Sequence, residues 1–412
     1  MNRRHFLRRL TWAGTASMGL PLRLAGSDPR TPALDPAHDP ALRRLVEEHQ
    51  PSRLAAMPAD FNARVGATHV AGKYHLTSKP FLVEGAEKLI ELGTRLGKFW
   101  FEPKSPGHSY PFNSHWREYR TLTDLAQSDY FQETFALPFA TIILECQSAT
   151  EGGWKQELPR GFYESVEEEY HDLAAHLYQR YREREVTFVI QHWEGDWLLR
   201  GAGKSWNPPP DNWATQCAQM QKWLTARQAG VARARASFGG GARCRVAHAA
   251  EVNRVTDIWK GIPTMTDRVL PGVELDLVSY SSYDALKDGV TLYRCLEEIR
   301  KYARTGSLFG RGAVYLGELG IPENEQPTRV AERWDEFLGA ALAAKALYLV
   351  QWELYCNELN PRMRPPPKPP IRDPSQARGF WLVKPDGTLS QSGEYLSALW
   401  SRARPRARGA ND

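Results

Sequence analysis

The chain has 412 residues, with 42% apolar and 25% charged positions, the make-up of a folded globular protein and not of a disordered or fibrous one. Its formal charge of +5 does not mark a nucleic-acid binder: Arg3, Arg4, Arg8, Arg9 and Arg23 account for it, and the remaining chain is neutral. The 14 Trp, 16 Tyr and 15 Phe are enough rings to fill a large core or to offer flat platforms to sugars.

The first residues, MNRRHFLRRL, form a basic start followed by the short apolar stretch TWAGTASMGLPL and the small residues Ala25 and Gly26. That order describes an export signal over 1–26, and the Arg3-Arg4 pair before Phe6 and Leu7 resembles the twin-arginine motif. A periplasmic or secreted protein is therefore expected, with no stable membrane insertion after export, since no other apolar run is long enough to span a bilayer. The five cysteines, Cys146, Cys217, Cys244, Cys295 and Cys356, are odd in number and form no CxxC pair. Neither a disulfide framework nor a zinc knuckle is expected from them.

Residues 27–64 read as an N-terminal extension. From about residue 65 short β-like runs alternate with amphipathic helical stretches in eight units. The predicted strands are Thr68–His75, Lys98–Glu102, Thr141–Cys146, Val186–Trp193, Cys244–His248, Leu275–Tyr280, Ala313–Glu318 and Ala346–Trp352. Between them, Val83–Leu96, Tyr163–Arg184, Trp213–Ala236, Val290–Arg304 and Thr328–Ala344 show apolar residues at three- and four-residue spacing. Strands apolar nearly throughout belong to a parallel sheet covered by helices. Eight βα units predict a single (β/α)8 TIM barrel over 65–402, followed by a basic tail, 403–412. Gly201-Ala202-Gly203-Lys204-Ser205 lacks the first glycine of a phosphate loop, because position 198 is Leu. No cofactor and no metal is expected, and the oligomeric state is open.

The active face of such a barrel lies at the carboxyl ends of its strands. Polar and aromatic residues gather there: His75, Glu102, Glu145, His192, Trp193, Glu194, Asp196, Trp197, Glu251, Asn253, Tyr280, Tyr283, Glu318, Trp352 and Glu353. Acids, imidazoles and rings without an HxH metal pair suit acid–base work on a polyhydroxylated substrate. Glu145 and Glu251 fit binding or support better than catalysis. Asp196 fits a sugar hydroxyl or a loop cap, and Trp100, Trp206 and Trp259 fit core and sugar platform equally.

Four of these runs carry a specific resemblance. VYLGELGIPE resembles the nucleophile strand of clan A glycoside hydrolases, and VIQHWEGDW, three units earlier, resembles the strand that holds their acid/base. LVSYSSYD is similar to the strand whose Tyr supports the nucleophile, and VQWELY to the one whose Trp floors the sugar subsite. The resemblance implies a retaining glycosidase with Glu318 as nucleophile and Glu194 as acid/base. It implies a carbohydrate substrate held by His75, Glu102, His192, Trp193, Asp196, Trp197, Asn253, Tyr280, Tyr283, Trp352 and Glu353. Two positions depart from the clan: Trp193 stands where an Asn precedes the acid/base, and Ser281 where a His is common. The first departure leaves a second reading open, a non-catalytic carbohydrate-binding barrel of the cell envelope.

Overall fold

The computed structural model describes residues 39–148, 158–306 and 308–403, so the leader and the tail beyond Ala403 lie outside the described residues. Eight parallel strands close into a barrel: β1 (Val65–His69), β2 (Leu96–Phe101), β3 (Thr141–Cys146), β4 (Thr187–Gln191), β5 (Arg245–Val252), β6 (Leu277–Ser281), β7 (Val314–Leu319) and β8 (Leu349–Gln351). Each pairs with its sequence neighbours, and β8 returns to β1 through Val65–Leu349 and Ala67–Gln351, which completes the expected TIM barrel.

Two strands differ from their predicted limits, and both differences move site residues. β1 starts three residues earlier than predicted and stops at His69, because Ala71 adopts a left-handed backbone (φ 49°) that ends the ladder. His75 therefore sits on the loop after β1, outside the strand. β5 runs on past His248 to Val252, since the small residues Ala249 and Ala250 pair with Leu277 and Val278 although they are poor strand formers. Glu251 is accordingly a mid-barrel residue.

The outer ring includes helices Phe81–Leu92, Phe162–Tyr181, Trp213–Phe238, Gly289–Tyr302, Val330–Ala343 and Gln391–Ala403. Their apolar faces and the outward residues of the strands form the main core. In the N-terminal extension, helix Pro40–Glu48 is capped by the Asp39 carboxylate and lies close against helix Val330–Ala343, where a side chain at Gly339 would meet the Val46 carbonyl at 2.6 Å. At the barrel floor the Trp400 indole donates to Val65 O at 3.0 Å, and the Asn62 amide donates to Trp400 O at 3.1 Å. All five cysteines are buried free thiols. No helix among the described residues is long and apolar enough to cross a membrane.

Helices Phe162–Tyr181 and Trp213–Phe238 touch backbone to backbone at Gly230, where an added Cβ would lie 2.2 Å from Glu167 O. Gly230→Ala should therefore lower stability despite its better helix propensity, by about 1–3 kcal/mol. Guanidinium unfolding checks this; an unchanged or raised midpoint would refute the tight contact.

Candidate active site

Side chains alternate along a strand, so the barrel interior is built in layers. The lower layer is apolar: Leu96, Ile143, Val189, Ala249, Leu277, Tyr315, Tyr348 and Val350. Two residues further along β2 to β6 the interior turns polar, with Lys98, Glu145, Gln191, Glu251 and Ser279, while β7 places Gly317 there. These side chains are buried, so each needs a partner within the layer.

Lys98 supplies the centre. Its ammonium lies 2.7 Å from Glu145 Oε2 and 3.6 Å from both Glu251 Oε1 and Glu318 Oε2, and it donates to Gly317 O at 3.2 Å. Glu145, Glu251 and Glu318 bring their oxygens within 4.8 Å of one another, and the ammonium serves all three. Burial alone would push the Lys98 pKa down, but the three carboxylates together hold it above the ordinary lysine value. Gln191 donates to Glu251 Oε1 at 2.9 Å and to Glu145 Oε2 at 3.3 Å, while Tyr315 donates its hydroxyl to the Gln191 carbonyl. Glu251 also accepts from Ser279 Oγ at 2.8 Å and from Glu194 N at 3.0 Å. Gly317 is required here, since a Cβ would fall 1.8 Å from Ser279 Oγ and 2.6 Å from Glu251 Oε1.

Above this layer stand Glu194 and Glu318. β6 and β7 pair with a register shift at Tyr280/Ser281, which sets Ser281 opposite Glu318. Ser281 Oγ donates to Glu194 Oε1 at 2.7 Å, so the hydroxyl at the second departing position, on β6, holds one acid while its strand partner carries the other. Burial and repulsion from Glu318 push the Glu194 carboxyl well above the usual range, against the smaller opposing effect of Ser281. Among the described residues no cation pairs with Glu194. Glu318 is also raised by burial, to about 7, but Lys98 and the Tyr283 hydroxyl act to lower it. The two acids thus sit in unlike settings: Glu194 has Ser281 and no cation beside it among the described residues, and Glu318 has the cation that favours its anion. The Tyr283 ring is 37% exposed, while desolvation of its hydroxyl and the charge on Glu318 keep it a phenol.

The other expected residues divide. Trp352 reaches the mouth from β8, packs against Trp100 at 5.6 Å and precedes Glu353 across a cis peptide bond. Glu353 is fully buried; its Oε1 accepts from Asn357 N at 2.7 Å, its Oε2 has no hydrogen-bond partner, and burial pushes its carboxyl well up. Trp193 is half-buried directly before Glu194, Trp197 lies under the Arg254 guanidinium at 5.4 Å, and Glu102 is half-buried just past β2. His75 bonds the Thr77 carbonyl and stacks on Phe112, within the first loop.

Four expected binding residues are corrected to supporting positions. Tyr280 is buried on the outer side of β6 and donates to Asp284 Oδ1 at 2.6 Å. His192 is buried against Trp223, accepts from Glu251 N at Nε2 and donates from Nδ1 to Trp193 O; burial lowers its pKa to about 3, so it is a neutral ring fixing two strand ends. Asp196 and Asn253 lock the β4 and β5 loops. Asn253 Oδ1 accepts from Asp196 N, and Asp196 accepts from Asn253 N and Met265 N, at 2.8–3.1 Å. Their side chains are spent on backbone, which leaves the loop-cap reading of Asp196 as the one the geometry supports.

No protein-family model matches the chain, and no curated protein is similar to it. Solved structures are. The AHE enzyme from Alicyclobacillus herbarius is 13% identical at a TM-score of 0.52, covering 86% of this chain and 99% of that one. A β-glucosidase from Thermotoga maritima, solved with glucoimidazole, is 11% identical at a TM-score of 0.51, covering 85% and 100%. The likeness is one of fold: these chains share the closed (β/α)8 barrel.

Lys98→Met would leave three buried carboxylates without their shared cation. It should cost about 3–5 kcal/mol in stability and raise the Glu318 pKa above its present value of about 7. Because that folded value stands above the ordinary 4.5, the group's contribution to stability is full below 4.5 and is lost as pH rises through 7. Infrared titration of the carboxyl band with parallel unfolding would follow both; an unmoved carboxyl would remove Lys98 from this role.

Proposed function

We propose that the protein is a retaining glycoside hydrolase that cleaves a β-linked glycan or glycoside, with Glu318 as nucleophile and Glu194 as acid/base. One observation carries this reading: two buried glutamates at the barrel mouth, of which, among the described residues, Glu318 alone has an ammonium beside it. Double displacement needs that inequality. One carboxylate must attack while the other still holds a proton for the leaving oxygen. The fold shared with a β-glucosidase supports the same reading.

In the first step the Glu318 carboxylate attacks the anomeric carbon as the glycosidic bond breaks, and Glu194 passes its proton to the departing oxygen. A glycosyl ester on Glu318 results. Its formation removes the charge that had raised the Glu194 pKa, so Glu194 becomes a competent base for the incoming water. Water then attacks the same carbon, Glu194 takes its proton, and Glu318 leaves as the free carboxylate. Trp352 and Trp100 offer the apolar face on which a ring of the substrate rests. Export by the twin-arginine leader is proposed from residues 1–26 alone, and a carbohydrate is the proposed partner.

The test is turnover of an aryl-glycoside and glycan panel with proton NMR of the first product. The anomeric configuration should be retained. Glu194→Gln should lower kcat/KM by about 10²–10⁴-fold on poor leaving groups and much less on nitrophenyl glycosides, whose phenolate departs without a proton, while the glycosyl ester accumulates for want of a base. Glu318→Gln should abolish turnover of both kinds. Inversion of the product would exclude the double displacement. Sugar binding without release, indifferent to both substitutions, would establish the non-catalytic barrel instead.

A further inference from the structure

Among the described residues, two large hydrophobic side chains are exposed: Trp259 at 42% and Tyr283 at 37%. A lone exposed ring needs no explanation. These two, however, ride on neighbouring 3-10 turns at the catalytic face, Val255–Lys260 after β5 and Tyr283–Ala285 after β6.

The turns are tied to each other. Asp284, the residue after Tyr283, accepts from Thr256 N and Thr256 Oγ1, both at 2.8 Å, while Tyr280 holds its other oxygen at 2.6 Å. Trp259 stands three positions beyond Thr256, roughly 6 Å along a 3-10 turn. The same turn is fixed on its other side by Asp257, which accepts from Arg200 at 2.9 Å, from Arg254 at 3.0 and 3.1 Å, and from Lys260 at 3.2 Å. A ring held out on a turn pinned at Thr256 and Asp257, with Lys260 next in the chain, has the form of a sugar platform: an apolar face beside hydrogen-bonding groups. Trp206, by contrast, is buried as core, and Trp100 packs on Trp352.

We propose that Trp259 binds a sugar residue of the substrate beyond the one seated between Glu194 and Glu318, so that the enzyme acts on a glycan chain that crosses the β5–β6 side of the mouth. The inference rests on the glycosidase reading for its substrate class. It makes chain length, not the identity of one sugar, the first determinant of efficiency.

The experiment compares Trp259→Ala and Trp259→Phe with the parent on a ladder of β-linked oligosaccharides and on an aryl monoglycoside. In the parent, kcat/KM should rise with chain length. Trp259→Ala should remove about tenfold of that rise, chiefly through KM, leave the monoglycoside unchanged, and be partly restored in Trp259→Phe. Equal rates for short and long substrates in the parent, or an equal loss on all substrates, would overturn the proposal. Calorimetric binding of the same ladder to Glu318→Gln, with and without Trp259→Ala, reads the platform independently of turnover. Affinity that grows with length and falls in the double variant supports Trp259 even where hydrolysis fails, and length-independent affinity overturns it.

Discussion

A single buried ammonium governs the interior of this barrel. The carboxylates of Glu145, Glu251 and Glu318 would not tolerate one another at these separations in a medium that screens poorly. Lys98 allows them to coexist, and in doing so it fixes where negative charge rests. Gln191 and Ser279 donate to these carboxylates and Tyr315 donates to Gln191, so that the layer is connected across six strands. The mouth inherits its inequality from this layer. Glu318 stands at the edge of the field of Lys98, and Glu194 does not.

Much of the architecture was legible in the residues. Long amphipathic runs such as Trp213–Phe238 announce themselves, and βα alternation in eight units leaves few alternatives to a barrel. Glu194 and Glu318 are legible because VIQHWEGDW and VYLGELGIPE resemble the acid/base and nucleophile strands of clan A glycoside hydrolases. Lys98 was missed for a definite reason. With β2 read from Lys98 onward, the lysine looked like a polar strand start, whereas the strand begins at Leu96 and carries Lys98 in its middle. A cation inside an apolar strand is itself a signal, since its burial demands anions nearby.

The less legible residues were those whose direction matters more than their position. Tyr280 and Ser281 are neighbours at one strand end, yet one faces the helices and the other holds Glu194. A two-residue period decides this only when the strand's register is known, and a register shift intervenes here. Asp196 and Asn253 illustrate the same difficulty in loops. Both lie near Glu194 in sequence or space, but their polar atoms are consumed in pairing one loop's backbone with the next. His192 serves in a similar way, a neutral ring joining the ends of β4 and β5.

The barrel floor carries a consequence for the order in which the molecule assembles. Val65, the first residue of β1, pairs with Leu349 of β8 and accepts a hydrogen bond from Trp400 in the last helix. These contacts join residues almost 300 and more than 330 positions apart. Such distant pairings are slow to form, because the chain between them must first be ordered. The ring therefore remains an open sheet, with two unpaired edges, until the last strand and the helix that carries Trp400 have been synthesised. Completion of the barrel mouth and sealing of the floor are one event.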